Sequence, residues 1–533
     1  MYSLWKANIH KNLELARNNA GPTLVTVVSG NQNDAEFWSH QLDLTRREVF
    51  RSDGRVKIVS ALESVRKGNL LGTFNAWKSV EAQLAPADIP DIALMGMVFG
   101  QGRRFSPFTQ AEGNRKSAFW TPLKTHDAGV YLSTGDISNL STNIWAQTLR
   151  EGGFRGLIVK WGDELIIPGV EWQKYDFRNI DAFRCVGKIE ITESLAREKD
   201  WVVVDANTGL MQFQLMRQDI QALKKRLSAL GGESYELRVN LGSLALTYEF
   251  LEAGLEVFGD DVLDSQKWAD WDPYAWIALC CKDKAQWDAE TAYEQRIGKS
   301  GIRNLESRYP DFYLKIREWR TALESRTGRP LAIGTLEFGD SFWVDLGLHL
   351  SLRQNFELLN TDSDRGKTIR FLFEIPEERD KNGNIILRST VPDSADIRDS
   401  VIIDSVIHDR HSVIRQGQVI GGKHGTLLMP GGGTALFSVA DHLEFAGGHG
   451  IAYKAIGQKL VLPEGGRYTT LLSSAGPIGM VSNESIIDYN GENYSTPILG
   501  NPISFEEAGK RMSKEEGSAI NARWLEFWQN WKP

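Results

Sequence analysis

Ile92 to Gln110 reads IALMGMVFGQGRRFSPFTQ: an unbroken apolar run stops at a glycine turn and continues into arginines, a proline and a threonine. Eight apolar or small residues bounded by a turn predict a strand buried on both faces, the kind found inside a parallel sheet. Working outward, Thr23 to Ser29 (TLVTVVS) predicts another such strand, ended by Gly30 and followed by a helix from about Asn33. Arg55 to Ser60 is a further strand candidate, Leu70 to Leu84 a helix, and Gly156 to Lys160 (GLIVK) a strand that ends at Gly162-Asp163. Strands alternating with helices predict an α/β, Rossmann-like, mostly parallel sheet with its site beyond the strands' carboxyl ends.

Residues 262–329 change character, with Trp, Lys and Glu at helical spacing, and read as a helical insertion whose tryptophans are core. Beyond Pro392, Val401, Ile407, Val413 and Val419 recur every six residues, beside Ile402, Ile414 and Ile420. That period predicts a short parallel, left-handed β-helix over residues 390–500, each strand stacking on the next coil. The tail, residues 501–533, ends WLEFWQNW and reads as one amphipathic helix docked on the body. The first 375 residues would then form the main α/β domain.

The 533 residues carry a net charge of −8, which argues against a general nucleic-acid or membrane-surface binder. Mean hydropathy is −0.31, and no run of about twenty apolar residues could span a bilayer. Cys185, Cys280 and Cys281 have neither metal-ligand spacing nor a disulfide framework, and with no signal-like N-terminus the chain reads as cytoplasmic.

The chemistry concentrates in Gly100-Gln101-Gly102-Arg103-Arg104, followed by Pro107, Thr109 and Lys116. Glycines straight after a buried strand let backbone N–H groups approach a triphosphate. Arg104 can grip phosphate oxygens bidentately, and Lys116 adds a point charge.

This run, GQGRRFSPFT…K, resembles the G-x-G-T-R-x-x-P-x-T…K-P signature of sugar nucleotidyltransferases, with Arg103 where Thr is usual and Ser117 where Pro is usual. The extra unit VVSGNQNDAEFWSHQ ahead of it, and a second glycine turn at Gly68 to Gly72, are similar in layout to fucose-1-phosphate guanylyltransferases. The resemblance implies transfer of a nucleotide from an NTP, GTP being favoured, to a sugar 1-phosphate such as L-fucose 1-phosphate. It implies that Asp163 in Trp161-Gly162-Asp163 and Asp345 in Phe342–Gly347 (FWVDLG) bind Mg²⁺, that Gly100, Gln101, Gly102 and Arg103 cradle the nucleotide, and that Arg104 and Lys116 serve catalysis with the two acids. Asn240 and Gly242 would face the sugar. Where the family often has a lysine stands Met216, so Arg217 is the candidate for the sugar phosphate. Self-association of the chain is compatible with this reading. Its rivals are a catalytically silent regulatory or scaffold subunit, and a β-helix acyltransferase using His424 or His449 as base.

Overall fold

The structure, a computed structural model, describes residues 1–48, 56–62, 69–98, 102–124, 130–172, 176–231, 234–264, 272–296, 305, 307–486 and 492–532. Its first large sheet begins with four parallel strands lying side by side in the order Lys57–Leu62, Leu24–Ser29, Ile92–Met97, Gly156–Trp161. All six residues of Leu24–Ser29 and of Ile92–Met97 are buried, which is why their sequences are continuously apolar rather than alternating.

Beyond Gly156–Trp161 the sheet changes direction. Tyr235–Thr247 runs antiparallel to it, and Ala182–Gly187, Trp201–Asp205 and Met211–Leu215 extend the antiparallel half, while Ile333–Glu337 lies parallel to Ala182–Gly187. The sheet is therefore mixed, where the alternation of elements predicted a mostly parallel one. The reason is local: Trp201–Asp205 and Met211–Leu215 are joined by a tight turn at Gly209, φ +69°, and antiparallel neighbours need no crossover helix.

Helices Gln32–Glu48 and Asn69–Gln83 cover the parallel half. Gly72 lies inside the second of these, so the expected second glycine turn is not formed there; Gly68 lies outside the described residues. Among the described residues from 248 to 327 lie the helices Tyr248–Phe258, Asp272–Cys280, Lys284–Arg296 and Phe312–Thr327. Trp276, Trp287 and Trp319 are buried there, with Phe250 stacked on Trp276 at 6.0 Å and edge-on to Trp319 at 4.6 Å. Cys281 is buried and Cys280 half-buried, and burial pushes both thiols up to about 12, so neither is poised as a thiolate.

From Ile385 the strands alternate between two facing sheets, and nearly all pairings are parallel. Ile386 pairs with Ile402, Ile402 with Val419, Val419 with Ala435 and Ala435 with Ala452. Stacking in this sheet thus repeats every 16 or 17 residues, and no parallel pairing runs at six. Ile402, Ile407, Ile414 and Val419 share one buried apolar cluster, at steps of five, seven and five. The regular six-residue series was an average over these unequal sides, which is why its register blurs farther along.

The tail forms two helices, Phe505–Met512 and Gly517–Asn530, rather than one. The break lets Glu515 accept hydrogen bonds from Ser474 N (2.8 Å), Ser474 Oγ (2.6 Å) and Arg523 Nη1 (2.8 Å). Trp524 Nε1 donates to the Phe437 carbonyl at 2.6 Å and Trp528 Nε1 to that of Gly421 at 3.1 Å, fixing the last helix to the coils. One apolar cluster runs from Trp5 through Phe105, Phe108 and Phe119 to Tyr453 and Trp524, joining both ends of the chain. Among the described residues, no helix is long and apolar enough to cross a membrane.

Candidate active site

A cleft of about 630 Å³ opens beyond the carboxyl ends of Ile92–Met97 and Gly156–Trp161. Its walls bring together Gly102, Arg103, Arg104, Lys116, Asp163, Arg217, Asn240, Gly242 and Asp345, residues scattered over 244 positions of sequence. Gly100 and Gln101 lie outside the described residues.

Gly102 takes the left-handed conformation, φ +50°, and its carbonyl accepts from Thr109 Oγ1 at 2.9 Å. A Cβ there would sit 2.5 Å from the same Oγ1 and 2.9 Å from Thr109 Cγ2, so the turn has room only for glycine. Arg103–Phe105 and Phe108–Ala111 are single short turns that hide Phe105 and Phe108 against Phe119 and His349. Arg104 is left exposed at the cleft, whereas the Arg103 guanidinium lies over the Tyr494 ring at 4.5 Å. His349 Nε2 lies 2.8 Å from the Ser106 carbonyl. Burial pushes this imidazole down to about 3, so it is neutral and donates.

The acids come from two strand ends. Asp163 follows Gly156–Trp161, and Asp345 ends Phe342–Asp345, which pairs antiparallel with Glu164–Ile167. Asp163 Oδ2 forms an ion pair with Lys116 Nζ, and Gly347 packs against both atoms. Burial works to raise the Asp163 carboxyl, but Lys116, then Lys160, outweigh it and hold it below the ordinary range. Asp345 moves the other way, raised first by burial and then by the negative charge of Asp163 beside it; its Oδ1 accepts from Gly347 N at 2.8 Å. Two carboxylates thus share one side of the cleft, one of them in a direct ion pair with Lys116. No group of three or more His, Cys, Asp or Glu with metal-binding spacing occurs among the described residues.

Several lining residues carried no motif. Glu164 is pushed up to about 8, chiefly by burial, and its Oε2 has no hydrogen-bond partner. Lys160 is fully buried, donating to the Glu164 carbonyl at 2.7 Å and the Trp161 carbonyl at 3.2 Å. A lysine within an apolar strand was the available signal, since buried lysines are almost always partnered. Lys199 reaches the cleft with its ammonium 4.2 Å from the Trp343 ring centre.

At the far end, Asn240 Oδ1 accepts from Gly242 N at 3.1 Å across a bulge in Tyr235–Thr247. Gly242 has φ +81°, and a Cβ there would lie 3.0 Å from Trp161 Nε1. Met216 is buried in the sheet's core, while Arg217 lines the cleft, its backbone N–H donating to Asp200 Oδ1 at 3.0 Å. The histidines of the acyl-transfer reading do not form a site. His424 lies in the strand Lys423–Met429 rather than a loop, wholly buried, and burial pushes it down to about 3; His449 is exposed and pairs with Glu357 at 3.0 Å.

The loop is braced from behind by residues distant in sequence. Asn114 Nδ2 donates to the Gly509 carbonyl at 2.7 Å, and Arg115 Nη2 to that of Glu515 at 3.3 Å. Arg115 Nε also lies 2.7 Å from Asp34 Oδ1. Lys454 Nζ is 2.6 Å from Glu112 Oε1, and Tyr453 Oη donates to the same oxygen at 2.5 Å.

No protein-family model and no curated protein matches this chain. Among solved structures it is similar to a protein described as a glucose-1-phosphate thymidylyltransferase of Bacillus anthracis, at 12% identity over 62% of this chain and 93% of that one, with a TM-score of 0.18. A likeness at that TM-score carries no argument about activity.

Proposed function

We propose that this chain is a Mg²⁺-dependent sugar-1-phosphate nucleotidyltransferase. The observation that supports it most is the convergence of Arg104 and Lys116 with the paired acids Asp163 and Asp345 in one cleft beyond parallel strands. An oxygen of the sugar phosphate would bond to the α-phosphorus of an NTP as the bond from that phosphorus to the β-bridging oxygen breaks, releasing pyrophosphate. The nucleophile is already anionic, so positioning and charge neutralisation are the whole task, and no general base is needed. Arg104, Lys116 and the turn at Gly102 would hold the triphosphate and the departing pyrophosphate. Arg217, with Asn240 and Gly242, would receive the sugar phosphate.

The adjacent carboxylates suit Mg²⁺, which takes few protein oxygens and fills its octahedron with water and phosphate. Asp163 and Asp345 would hold it, supplying positive charge against the α-phosphate. GTP with L-fucose 1-phosphate is the preferred pair in this reading. It is supported by the strand–helix unit Leu24–Glu48 ahead of the loop and by the stacked parallel strands after residue 385. Those strands, which alternate between two sheets, likewise support reading residues 390–500 as a short parallel β-helix.

The test is to incubate the protein with Mg²⁺, each NTP in turn, and fucose, mannose, glucose or galactose 1-phosphate, identifying products by mass. A GDP-sugar with stoichiometric pyrophosphate is the expected result. Turnover of UTP with glucose 1-phosphate and none with GTP would overturn the preferred pair, and no turnover of any pair would overturn the transferase reading in favour of a silent subunit. Within that assay Arg104→Ala should lower kcat and NTP affinity together, by roughly tenfold or more, because charge-assisted bonds to pyrophosphate strengthen as it departs. Arg103→Ala should do less, its guanidinium being stacked on Tyr494. The reverse ranking would reassign the phosphate contact to Arg103.

A further inference from the structure

We infer that Glu112, Tyr453 and Lys454 are positioning residues that fix the basic loop from behind, so that the C-terminal coils set the geometry of the phosphate cradle. The role of that cradle rests on the nucleotidyltransferase reading. Between Gly102 and Lys116 the only regular structure is two short turns, Arg103–Phe105 and Phe108–Ala111. So little backbone pairing cannot by itself hold two cations at a fixed separation. The loop's rear is instead held by side chains: Asp34 and the Phe37 ring meet Arg115, His349 meets the Ser106 carbonyl, and the partners of Glu112 and Asn114, with a second partner of Arg115, come from residues 453–515.

The Glu112 contact is the one built from buried charge. Lys454 is 1% exposed and Glu112 5%, and the ammonium also lies 3.6 Å from the Trp120 ring centre and 3.3 Å from Asn521 Oδ1. Tyr453 Oη gives its proton to Glu112 while accepting from Trp120 N at 3.1 Å, and its ring stacks on Phe119 at 4.2 Å. The hydroxyl thus ties the residue four before Lys116 to the one four after it. A buried ion pair adds little net stability, because desolvating both charges offsets their attraction. What this one does supply is a single allowed position for Glu112, and through three intervening residues for the ammonium that meets Asp163.

Glu112→Gln alone leaves Lys454 as an unpaired buried cation and is expected to impair folding. The test therefore uses two gentler changes in the full chain, Tyr453→Phe and the neutral pair Glu112→Gln with Lys454→Met. Hydrogen exchange of residues 102–118, inorganic pyrophosphate binding, and steady-state kinetics are measured on each. The expected result is exchange at least about tenfold faster in that loop but unchanged in Leu24–Ser29. Pyrophosphate binding and kcat should each be weaker by about tenfold, since a misplacement of about 1 Å can cost 10²-fold, with the sugar phosphate KM within about twofold. Folded variants whose loop exchange and pyrophosphate binding match the unmodified protein would overturn the inference. If the unmodified protein turns over no NTP and sugar phosphate, yet the variants loosen the loop as described, the positioning stands and the transferase reading falls.

Discussion

Asp345→Asn is expected to lower kcat roughly 10²-fold or more at saturating Mg²⁺ and NTP, and Asp163→Asn to do the same. Asparagine keeps the shape of the side chain and, at 345, an oxygen that can still accept from Gly347 N, so the strand end Phe342–Asp345 should persist. What is lost is charge. Asp345 is raised first by burial and then by the field of Asp163, and that proximity would let the pair share one hard cation while phosphate oxygens complete its shell. At 163 the change also removes the anion that holds Lys116 in place, so the cradle loosens together with the metal site. Circular dichroism establishes that each variant is folded, and initial rates across a Mg²⁺ titration separate weaker metal binding from a slower step. Near-normal turnover in either variant would remove that residue from the site.

The second large effect is expected at Gly347. Its φ is ordinary, so glycine is required there for room rather than for backbone freedom. A methyl group would collide with Asp163 Oδ2 and with Lys116 Nζ, the two atoms of the ion pair at the centre of the cleft. Gly347→Ala should therefore separate the Asp163 carboxylate from the Lys116 ammonium, with a loss of turnover on the order of 10²-fold and the sheets intact. Gly30→Ala is the matched control, since a Cβ there meets nothing within 4 Å and its backbone conformation is unstrained; its rate should be unchanged. Equal rates for both variants would mean that turnover does not depend on the Lys116–Asp163 geometry.

How much of this could be read from residues alone follows from the range of each interaction. A strand ending in a glycine turn is a local pattern, and the strands at 24–29, 92–97 and 156–161 lie within a residue or two of where apolar runs placed them. Asp163 and Asp345 are singled out by the resemblance of Trp161-Gly162-Asp163 and FWVDLG to the family's elements, although nothing local says that they share a cleft. Direction is not local either. Trp201–Asp205 and Met211–Leu215 are antiparallel because the connection at Gly209 is too short for a crossover. The coil length was hidden because sides of five, seven and five residues imitate a period of six. Lys160 offers only its place in an apolar run, and Glu164 and Lys199 carry no signature at all. Their relevance comes from burial and from neighbours that folding supplies.

The distance in sequence between the loop and its brace also sets an order of events during synthesis. Glu112 meets its partner 341 residues later, Asn114 reaches 395 residues ahead and Arg115 400. Translation at about 5–20 residues per second places Gly509 and Glu515 some tens of seconds after the loop leaves the ribosome. The parallel strands can pair long before then, and every cleft residue named here is already made by Gly347. A nascent chain at that stage holds the chemical groups but not their spacing. On the positioning inferred above, the loop's cations take their final spacing only when residues 453–515 meet it, after all the cleft residues named here have been made.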